Sequence, residues 1–164
     1  MKSKLNTHCH YQLLDTPIGT LRLVSDGVAL TKIEFPHQHT IASGETETTD
    51  PALLACAVQL IEYFAGERKT FKLPLNAGGT IFQIEVWSAL ADIPFGELRS
   101  YSDIAIAIDR PKAVRAVGAA NGRNPLPIIV PCHRVIGSNG SLTGFAGGIP
   151  LKTKLLELEG ALLL

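Results

Sequence analysis

The sequence is poor in the features that mark secreted and membrane proteins. Cysteine occurs only three times in 164 residues, at Cys9, Cys56 and Cys132, and an odd number at such wide spacing makes a poor disulfide framework. At least one thiol must be free, which favours a reducing compartment. No apolar stretch reaches the length of a membrane span, and the two lysines near the N-terminus are not followed by the apolar segment of a signal peptide. We therefore expect a cytoplasmic protein with no membrane partner.

Net charge is also lacking, since 15 lysines and arginines balance 15 aspartates and glutamates. The balance is uneven along the chain. Between Arg99 and Arg134 there are six basic residues and two acidic ones, a net charge of +4. Such a segment is compatible with an ordinary solvated surface and with a surface that binds nucleic acid, and charge alone does not decide between them.

What the chain does contain is a patterned, 46% hydrophobic sequence that suits a folded protein of one compact domain or two small ones. Pro74 and the pair Gly78-Gly79 mark a change of texture, so we predict domains at 1–79 and 80–164. In the first, segments 11–14, 20–24 and 28–35 predict an antiparallel meander. Residues 37–49 are expected to form a loop, and a flanking helix should begin with Asp50 as its N-cap and end at Gly66.

The second half is predicted to be mainly helical. A capping box from Thr80 to Gln83 should begin its first helix. Helices over 102–108 and 111–121, joined only by residues 109–110, suit a helix-turn-helix unit. A glycine-dense loop over 137–148 then leads to a last helix at 151–158. The fold class is therefore α+β, with an N-terminal antiparallel sheet and flanking helix and a helical C-terminal domain.

Cys132 is the strongest candidate for chemistry. It follows the apolar run 128–130 and precedes His133, which places a potential nucleophile beside a potential base. An unperturbed thiol is only slightly ionised near neutral pH, so a relay or a positive field would be needed to activate it. Three alternatives stay open on these residues: an inert buried cysteine, a metal site that includes His8, Cys9 and His10, and a cysteine hydrolase in which Asn124 orients the histidine. The metal alternative lacks the usual ligand spacing of zinc sites.

A longer pattern surrounds this pair. Residues 129–136, Ile-Val-Pro-Cys-His-Arg-Val-Ile, and 115–125, Arg-Ala-Val-Gly-Ala-Ala-Asn-Gly-Arg-Asn-Pro, closely resemble the active-site signature of the O6-alkylguanine-DNA alkyltransferases. Further segments fall in that family's order and spacing: Phe82-Gln83, Val86-Trp87, 93–96, Ser100-Tyr101, 142–148, Leu155-Leu156 and Glu159-Gly160. The resemblance covers residues 80–160 almost continuously and is loose in the N-terminal half.

The resemblance implies a single-turnover DNA repair protein with a winged helix-turn-helix domain. Such a protein flips a damaged nucleotide out of double-stranded DNA and transfers the alkyl group from O6-alkylguanine, and also from O4-alkylthymine, to its own cysteine. It implies a monomer that needs no cofactor. The alternative is a non-catalytic protein that only binds alkyl lesions, a reading weakened here because the acceptor cysteine is present.

Individual roles follow from the same resemblance. Cys132 would accept the alkyl group, His133 would act through a water as its base, and Glu159 would orient that histidine. Asn124 would brace the active-site turn. Tyr101 would donate to N3 of the guanine as charge builds on the leaving base.

The resemblance also implies how DNA is held. The second helix of the helix-turn-helix unit would lie in the minor groove, where little sequence is read, and Arg115 would fill the gap left by the flipped base. The implied DNA-binding residues are Tyr101, Arg115, Ala116, Gly118, Ala119 and Arg123. The implied pocket for the alkylated base consists of Trp87, Val135, Phe145, Ala146 and Gly147, with Phe145 where many members have tyrosine. Metal ligands found near the N-terminus of some relatives have no clear counterparts, so we expect no metal.

Overall fold

The protein is described here by a computed structural model covering residues 9–39 and 45–162. The chain divides into two compact units, Met1–Gly78 and Gly79–Leu164, next to the boundary expected from the sequence. Sheet and helices are both present, and the predicted α+β class is confirmed. The division into domains at 1–79 and 80–164 stays a prediction. None of the helices in the described part of the chain is both long and apolar enough to cross a bilayer.

The first unit is built on a four-stranded sheet. Strands β1 (His10–Thr16), β2 (Gly19–Ser25) and β3 (Leu30–Glu34) are antiparallel neighbours, which confirms the predicted meander. A short strand β4 (Thr46–Glu47) pairs in parallel with β1, so the strand order is β3-β2-β1-β4.

The expectation of a plain loop over 37–49 was therefore wrong in part. Pro36–Gln38 form a 3-10 turn, and β4 follows, while residues 40–44 lie outside the described residues. The pairing of β4 rests on backbone bonds, with Thr46 N donating to Cys9 O at 3.0 Å and Thr48 N to Tyr11 O at 3.1 Å. Two exposed polar residues show no hydrophobic alternation, so nothing local indicates the strand.

Helix α1 (Pro51–Phe64) packs against β1 and β2. As predicted, Asp50 is its N-cap, and the carboxylate accepts from Leu53 N at 2.9 Å. The helix ends before Gly66, whose φ of 78° is left-handed and costs glycine little. Its inward face completes the core of the unit with fully buried side chains of the helix and sheet: Leu21, Leu23, Leu53, Cys56, Leu60 and Tyr63.

The second unit contains α2 (Ile81–Ala91), α3 (Tyr101–Ala107), α4 (Val114–Gly122) and α5 (Ile149–Leu158). The predicted capping box is confirmed, because Gln83 N donates to Thr80 Oγ1 at 3.1 Å and Thr80 N to Gln83 Oε1 at 3.0 Å. Helices α2, α3 and α4 pack on one another around buried Val86, Leu90 and Val117. Two short parallel strands, β5 (Arg99–Ser100) and β6 (Val135–Ile136), join the start of α3 to the segment after Cys132.

The joint of the helix-turn-helix unit is longer than expected. The helix predicted from Pro111 begins only at Val114. Asp109 adopts a left-handed φ of 65°, and Ala113 N then donates to Arg110 O at 2.9 Å, which closes a separate turn. Proline suits a first helical position by its fixed φ, but here the preceding turn occupies that stretch of chain.

We expect Asp50→Ala to lower the free energy of unfolding by roughly 2 to 3 kcal/mol, because the carboxylate caps α1 and also bonds Ser25 Oγ and His10 Nδ1. Asp50→Asn keeps an oxygen for the cap and should lose much less. Urea unfolding of the two variants near neutral pH measures the difference. Equal losses for alanine and asparagine would contradict the capping role.

Candidate active site

A short 3-10 turn, Cys132–Arg134, presents the candidate nucleophile. The segment before it is braced by Asn124, whose Nδ2 donates to Val130 O at 2.7 Å and whose Oδ1 accepts from Leu126 N at 3.0 Å. Ile128 within this segment is only 1% exposed and has a φ of 75°. A β-branched residue in the left-handed region is strained by about 1 to 2 kcal/mol, so the packing around the segment holds a conformation that the free chain would avoid.

Cys132 itself is buried, with 4% of its surface exposed. Burial raises the pKa of its thiol to about 11, although the Asn124 side chain, the positive charge of Lys152 and nearby backbone N–H groups act in the opposite direction. The thiol is therefore protonated in the resting protein near neutral pH. A reaction at this sulfur needs a base that removes the proton within the site.

His133 is the adjacent candidate base and is fully buried. Its Nε2 lies 2.7 Å from Glu159 Oε2, so a proton on Nε2 leaves Nδ1 as an acceptor. Burial lowers the pKa of His133 more than Glu159 raises it, so the pKa lies below its usual value. The ring is therefore neutral at rest near neutral pH. Nδ1 is buried and has no hydrogen-bond partner within residues 9–39 and 45–162. The structure thus brings together the histidine and the carboxylate expected to orient it.

Glu159 also binds a second partner that sequence reasoning missed. Arg134 donates from Nε to Glu159 Oε1 at 2.8 Å and from Nη2 to Oε2 at 3.0 Å, and its Nη1 donates to Ile93 O at 2.6 Å. The guanidinium and the carboxylate are both buried. This bidentate pair places a guanidinium against the carboxylate that orients the histidine, and it ties the 3-10 turn to the end of α5.

Lys152 is a second buried cation near the thiol. It is fully buried, and its Nζ donates to Val135 O at 2.5 Å and to Thr143 O at 2.9 Å. Burial lowers the pKa of Lys152 to about 8, against the influence of Cys132, which raises it. The lysine holds the glycine-dense loop to β6 and places a titratable positive charge beside the cysteine.

Tyr101 stands on the same network. Its hydroxyl donates to Thr143 O at 2.7 Å, the carbonyl that also accepts from Lys152. Burial is the main reason that the pKa of Tyr101 is raised. Two glycines make room for the side chain: a Cβ at Gly144 would lie 2.7 Å from the hydroxyl oxygen, and one at Gly118 would lie 3.9 Å from the ring.

Helix α4 presents the residues expected to contact DNA on its solvent side. Arg115, Ala116 and Ala119 are exposed, as is Arg123 just after the helix, and Gly118 is half-buried. The opposite face buries Val117, Ala120 and Asn121 against the other helices. The exposed side chains on this side of the helix are therefore two small alanines and Arg115.

The expected pocket residues are placed differently from one another. Val135 is buried next to the turn that carries Cys132. Phe145 is buried on the glycine-dense loop, where Ala146 is exposed and Gly147 is half-buried. Trp87 lies on α2, and its Nε1 donates to Ala120 O at 2.9 Å, so it fastens α2 to α4. A pocket role for Trp87 stays a prediction.

The missed residues share one property, which is burial of a polar group. Lys152 lies at helical spacing from Leu155, Leu156 and Glu159. A lysine on the apolar face of a helix was therefore the sequence pattern that could have indicated its burial. Asn121, whose Nδ2 donates to Cys132 O at 3.3 Å, follows Val117 on the buried face of α4 in the same way. For Arg134, no local pattern distinguishes a buried arginine from an exposed one.

Within the described residues, no group of three or more His, Cys, Asp or Glu side chains is placed to hold a metal. His8 lies outside the described residues, and His10 is bonded to Asp50. Cys56 is fully buried, and burial raises its pKa to about 12, which makes it a structural residue. The expected absence of metal stays a prediction.

A buried cysteine, histidine and carboxylate beside a helix-turn-helix unit are typical of a DNA-binding protein whose chemistry depends on a thiol. Comparison with known proteins identifies the family. The family model described as 6-O-methylguanine DNA methyltransferase, DNA binding domain, matches residues 81–161, and the model of the same family's ribonuclease-like domain matches residues 9–77. The chain therefore belongs to the 6-O-methylguanine DNA methyltransferase family. The family and the enzyme class expected from the sequence are confirmed.

Named relatives agree with this assignment. A methylated-DNA–protein-cysteine methyltransferase of Mycobacterium bovis is 52% identical over 151 residues, which cover 92% of each chain. The constitutive enzyme of that name from Bacillus subtilis is 50% identical over 92% of this chain and 94% of its own. The crystal structure of Mycobacterium tuberculosis OGT in complex with DNA has a TM-score of 0.86 at 49% identity, with 93% of each chain covered.

We expect Gly144→Ala to destabilise the protein more than Gly140→Ala. Both glycines are left-handed, with φ of +71° and +86°, so each alanine costs about 1 to 2 kcal/mol in the backbone. Only at Gly144 does the added carbon meet Tyr101, which adds about 1 to 3 kcal/mol of overpacking. Urea unfolding midpoints measure both, and equal losses would show that Tyr101 does not occupy this place.

Proposed function

We propose that this chain repairs double-stranded DNA by taking the alkyl group of O6-alkylguanine, and of O4-alkylthymine, onto Cys132 in a single irreversible transfer. The observation that carries the proposal is the buried hydrogen bond between His133, the residue after Cys132, and Glu159, with 2.7 Å between Nε2 and Oε2. That bond leaves the other ring nitrogen to receive a proton. A neutral imidazole and a neutral thiol then become an ion pair only when a substrate is present.

The proton balance of the transfer follows from these groups. His133 Nδ1 takes the thiol proton through a bridging water, because adjacent side chains rarely point at each other. The sulfur then forms a bond to the alkyl carbon as the bond from that carbon to O6 breaks, and the electron pair goes to the base. Glu159 stabilises the histidinium that results, and Arg134 holds the carboxylate of Glu159 in place. The thioether has no good leaving group, so the protein is spent after one event.

Tyr101 donates a hydrogen bond to N3 of the leaving guanine, which stabilises the negative charge that builds on the base as the alkyl group departs. At rest its hydroxyl donates to Thr143 O, and Lys152 donates to the same carbonyl. When Tyr101 turns to the base, Lys152 keeps that carbonyl satisfied, so the proton donor moves without leaving a buried acceptor unpaired. Asn124 holds the segment before the cysteine in place throughout.

Helix α4 is proposed to lie in the minor groove of the duplex. Its exposed Ala116 and Ala119, with Gly118, allow a close approach to the sugar-phosphate walls, and Arg123 supplies a phosphate contact. Arg115 enters the stack where the damaged nucleotide leaves it, which offsets part of the few kcal/mol that flipping costs. Val135, Phe145, Ala146 and Gly147 receive the base. We place the protein in the cytoplasm, since an acceptor thiol needs a reducing compartment. We also propose that it acts as a monomer.

The first test is stoichiometric. Incubation with excess duplex containing O6-methylguanine should add one methyl group to each intact chain, located at Cys132 by mass spectrometry of peptides, and no second turnover should follow. Cys132→Ser should gain no mass yet still bind the duplex. Methyl transfer to Cys132→Ser, repeated turnover, or lesion binding by the wild type without any gain in mass would each reject the proposal.

A second test uses the charge of Lys152. Below its pKa of about 8, the lysine is charged and lowers the pKa of Cys132, and this help is lost as pH rises through that value. Lys152→Met should therefore react more slowly than wild type with free O6-methylguanine base at about pH 6.5, and the ratio of the two rates should fall towards one by about pH 9.5. A ratio that does not change with pH would assign Lys152 a structural role only.

A third test separates flipping from chemistry. Arg115→Ala should slow transfer from duplex DNA by orders of magnitude and leave reaction with the free base nearly unchanged, because a free base needs no extrusion. Arg115→Lys should rescue duplex repair only in part, since it keeps the charge and loses the planar stacking group. Arg123→Ala is the matched control and should weaken duplex binding mainly at low salt, because it removes one phosphate contact and so reduces the salt dependence of binding. A parallel loss on both substrates would contradict the flipping role.

A further inference from the structure

An open groove of about 1080 Å³ runs between α2 and α3. One wall is formed by α2 and the residue after it, with Ile84, Glu85, Ser88 and Asp92 at helical spacing. The other wall is formed by α3 and the residue after it, including Ile106, Ala107 and Ile108. None of the lining residues belongs to α4, to the turn that carries Cys132 or to the glycine-dense loop. The groove is thus separate from the proposed repair site and unused by it.

The groove exposes apolar side chains that a folded protein normally covers. Ile84 is 49% exposed and Ile106 is 64% exposed, while Ile93 and Ile104 form a buried floor. Ser88, Ala89 and Ala107 are small, so an approaching backbone meets little obstruction between the isoleucines. An exposed apolar strip bounded by polar residues is typical of an interaction surface.

Charge decides which partner fits. The lining includes four carboxylates, Glu85, Asp92, Asp103 and Asp109, and one guanidinium, Arg99. Arg99 is paired with Glu97, and Glu85 with Arg110. Within the described residues, Asp92 and Asp109 have no ion-pair or side-chain hydrogen-bond partner, and both are exposed. The groove is therefore acidic, in contrast to the basic exposed face of α4.

Two occupants are disfavoured by this charge. A nucleic acid backbone would bring phosphates against unpaired carboxylates, which repel them. A second copy of the chain offers little that is complementary: the exposed apolar stripe on α1, Leu54, Val58 and Ile61, lies on a helix with no lysine or arginine. Among the described helices, none combines an apolar stripe with several exposed cations.

We propose that this groove binds a cationic amphipathic helix of another protein. Apolar side chains of that helix, at positions i, i+3 or i+4 and i+7, contact Ile84, Ile106 and Ile108, and lysines or arginines beside them pair with Asp92 and Asp109. Because the groove and α4 share no residue, the protein can hold this partner and a duplex at once.

The test uses the whole protein labelled at isoleucine methyl groups and a synthetic leucine-lysine peptide with leucines at helical spacing. Titration should shift the methyl signals of Ile84, Ile106 and Ile108, with a dissociation constant in the micromolar range, and the shifts should persist when a duplex is bound. The matched peptide with glutamate in place of lysine should bind at least tenfold more weakly. Equal binding of both peptides, shifts centred on Ile61, or no binding at millimolar peptide would overturn the proposal.

Variants separate the two contributions. Asp92→Asn combined with Asp109→Asn should weaken binding of the lysine peptide about tenfold, whereas Glu67→Gln combined with Glu157→Gln removes two exposed carboxylates elsewhere and should leave it unchanged. Ile106→Ser should weaken binding to a similar extent, with Ile61→Ser on α1 as its control. All these positions are exposed, so the fold should tolerate them. Equal effects of groove and control variants would contradict the assignment.

Discussion

The buried carboxylate of Glu159 is the interaction on which the rest of the second unit depends. It accepts from two successive residues of one short turn, His133 and Arg134, and it lies at the end of α5. Arg134 extends the connection to Ile93 O, just beyond α2. Removing one partner of a buried ion pair costs about 3 to 5 kcal/mol, because the remaining charge stays buried without compensation. The last helix, the end of α2 and the turn that carries Cys132 are therefore held in one arrangement, and the position of the cysteine follows from it.

Burial keeps the thiol of Cys132 protonated and the imidazole of His133 neutral in the resting site. It raises the pKa of Cys132 to about 11, lowers that of Lys152 to about 8 and lowers that of His133. A thiolate is the form that oxidants and other electrophiles attack, so a protonated, buried thiol is protected from them. That protection matters for a cysteine that acts once. Reactivity then depends on a proton transfer within the site, for which the orientation of His133 by Glu159 is a precondition.

Features that are encoded locally could be predicted from the sequence, and features that arise from tertiary contact could not. Asp50 and the Thr80 to Gln83 box cap their helices through residues three positions apart, so the pattern alone was sufficient. Strand β4 and the delayed start of α4 depend on backbone pairing and on a left-handed Asp109, which composition does not reveal. Cys132, His133 and Glu159 were predicted as a group because they fall within a recognisable signature, and the structure bonds His133 to Glu159; their catalytic roles stay a prediction. Arg134 and Lys152 were missed because an arginine or a lysine is ordinarily exposed, and only packing shows that these two are not.

The neutral net charge of the chain hides two surfaces of opposite sign within its second unit. Arg115 is exposed on α4 and Arg123 just after it, while Asp92 and Asp109, which have no ion-pair partner in the described part of the chain, border the groove between α2 and α3. At physiological ionic strength charges act over about 8 Å, so a duplex close to α4 responds to the arginines and hardly at all to carboxylates on another face. Net charge is for this reason a poor guide to DNA binding in a small protein. For the proposed docking of DNA at α4, the same separation opposes an approach led by the groove and favours encounters in which α4 contacts the duplex first.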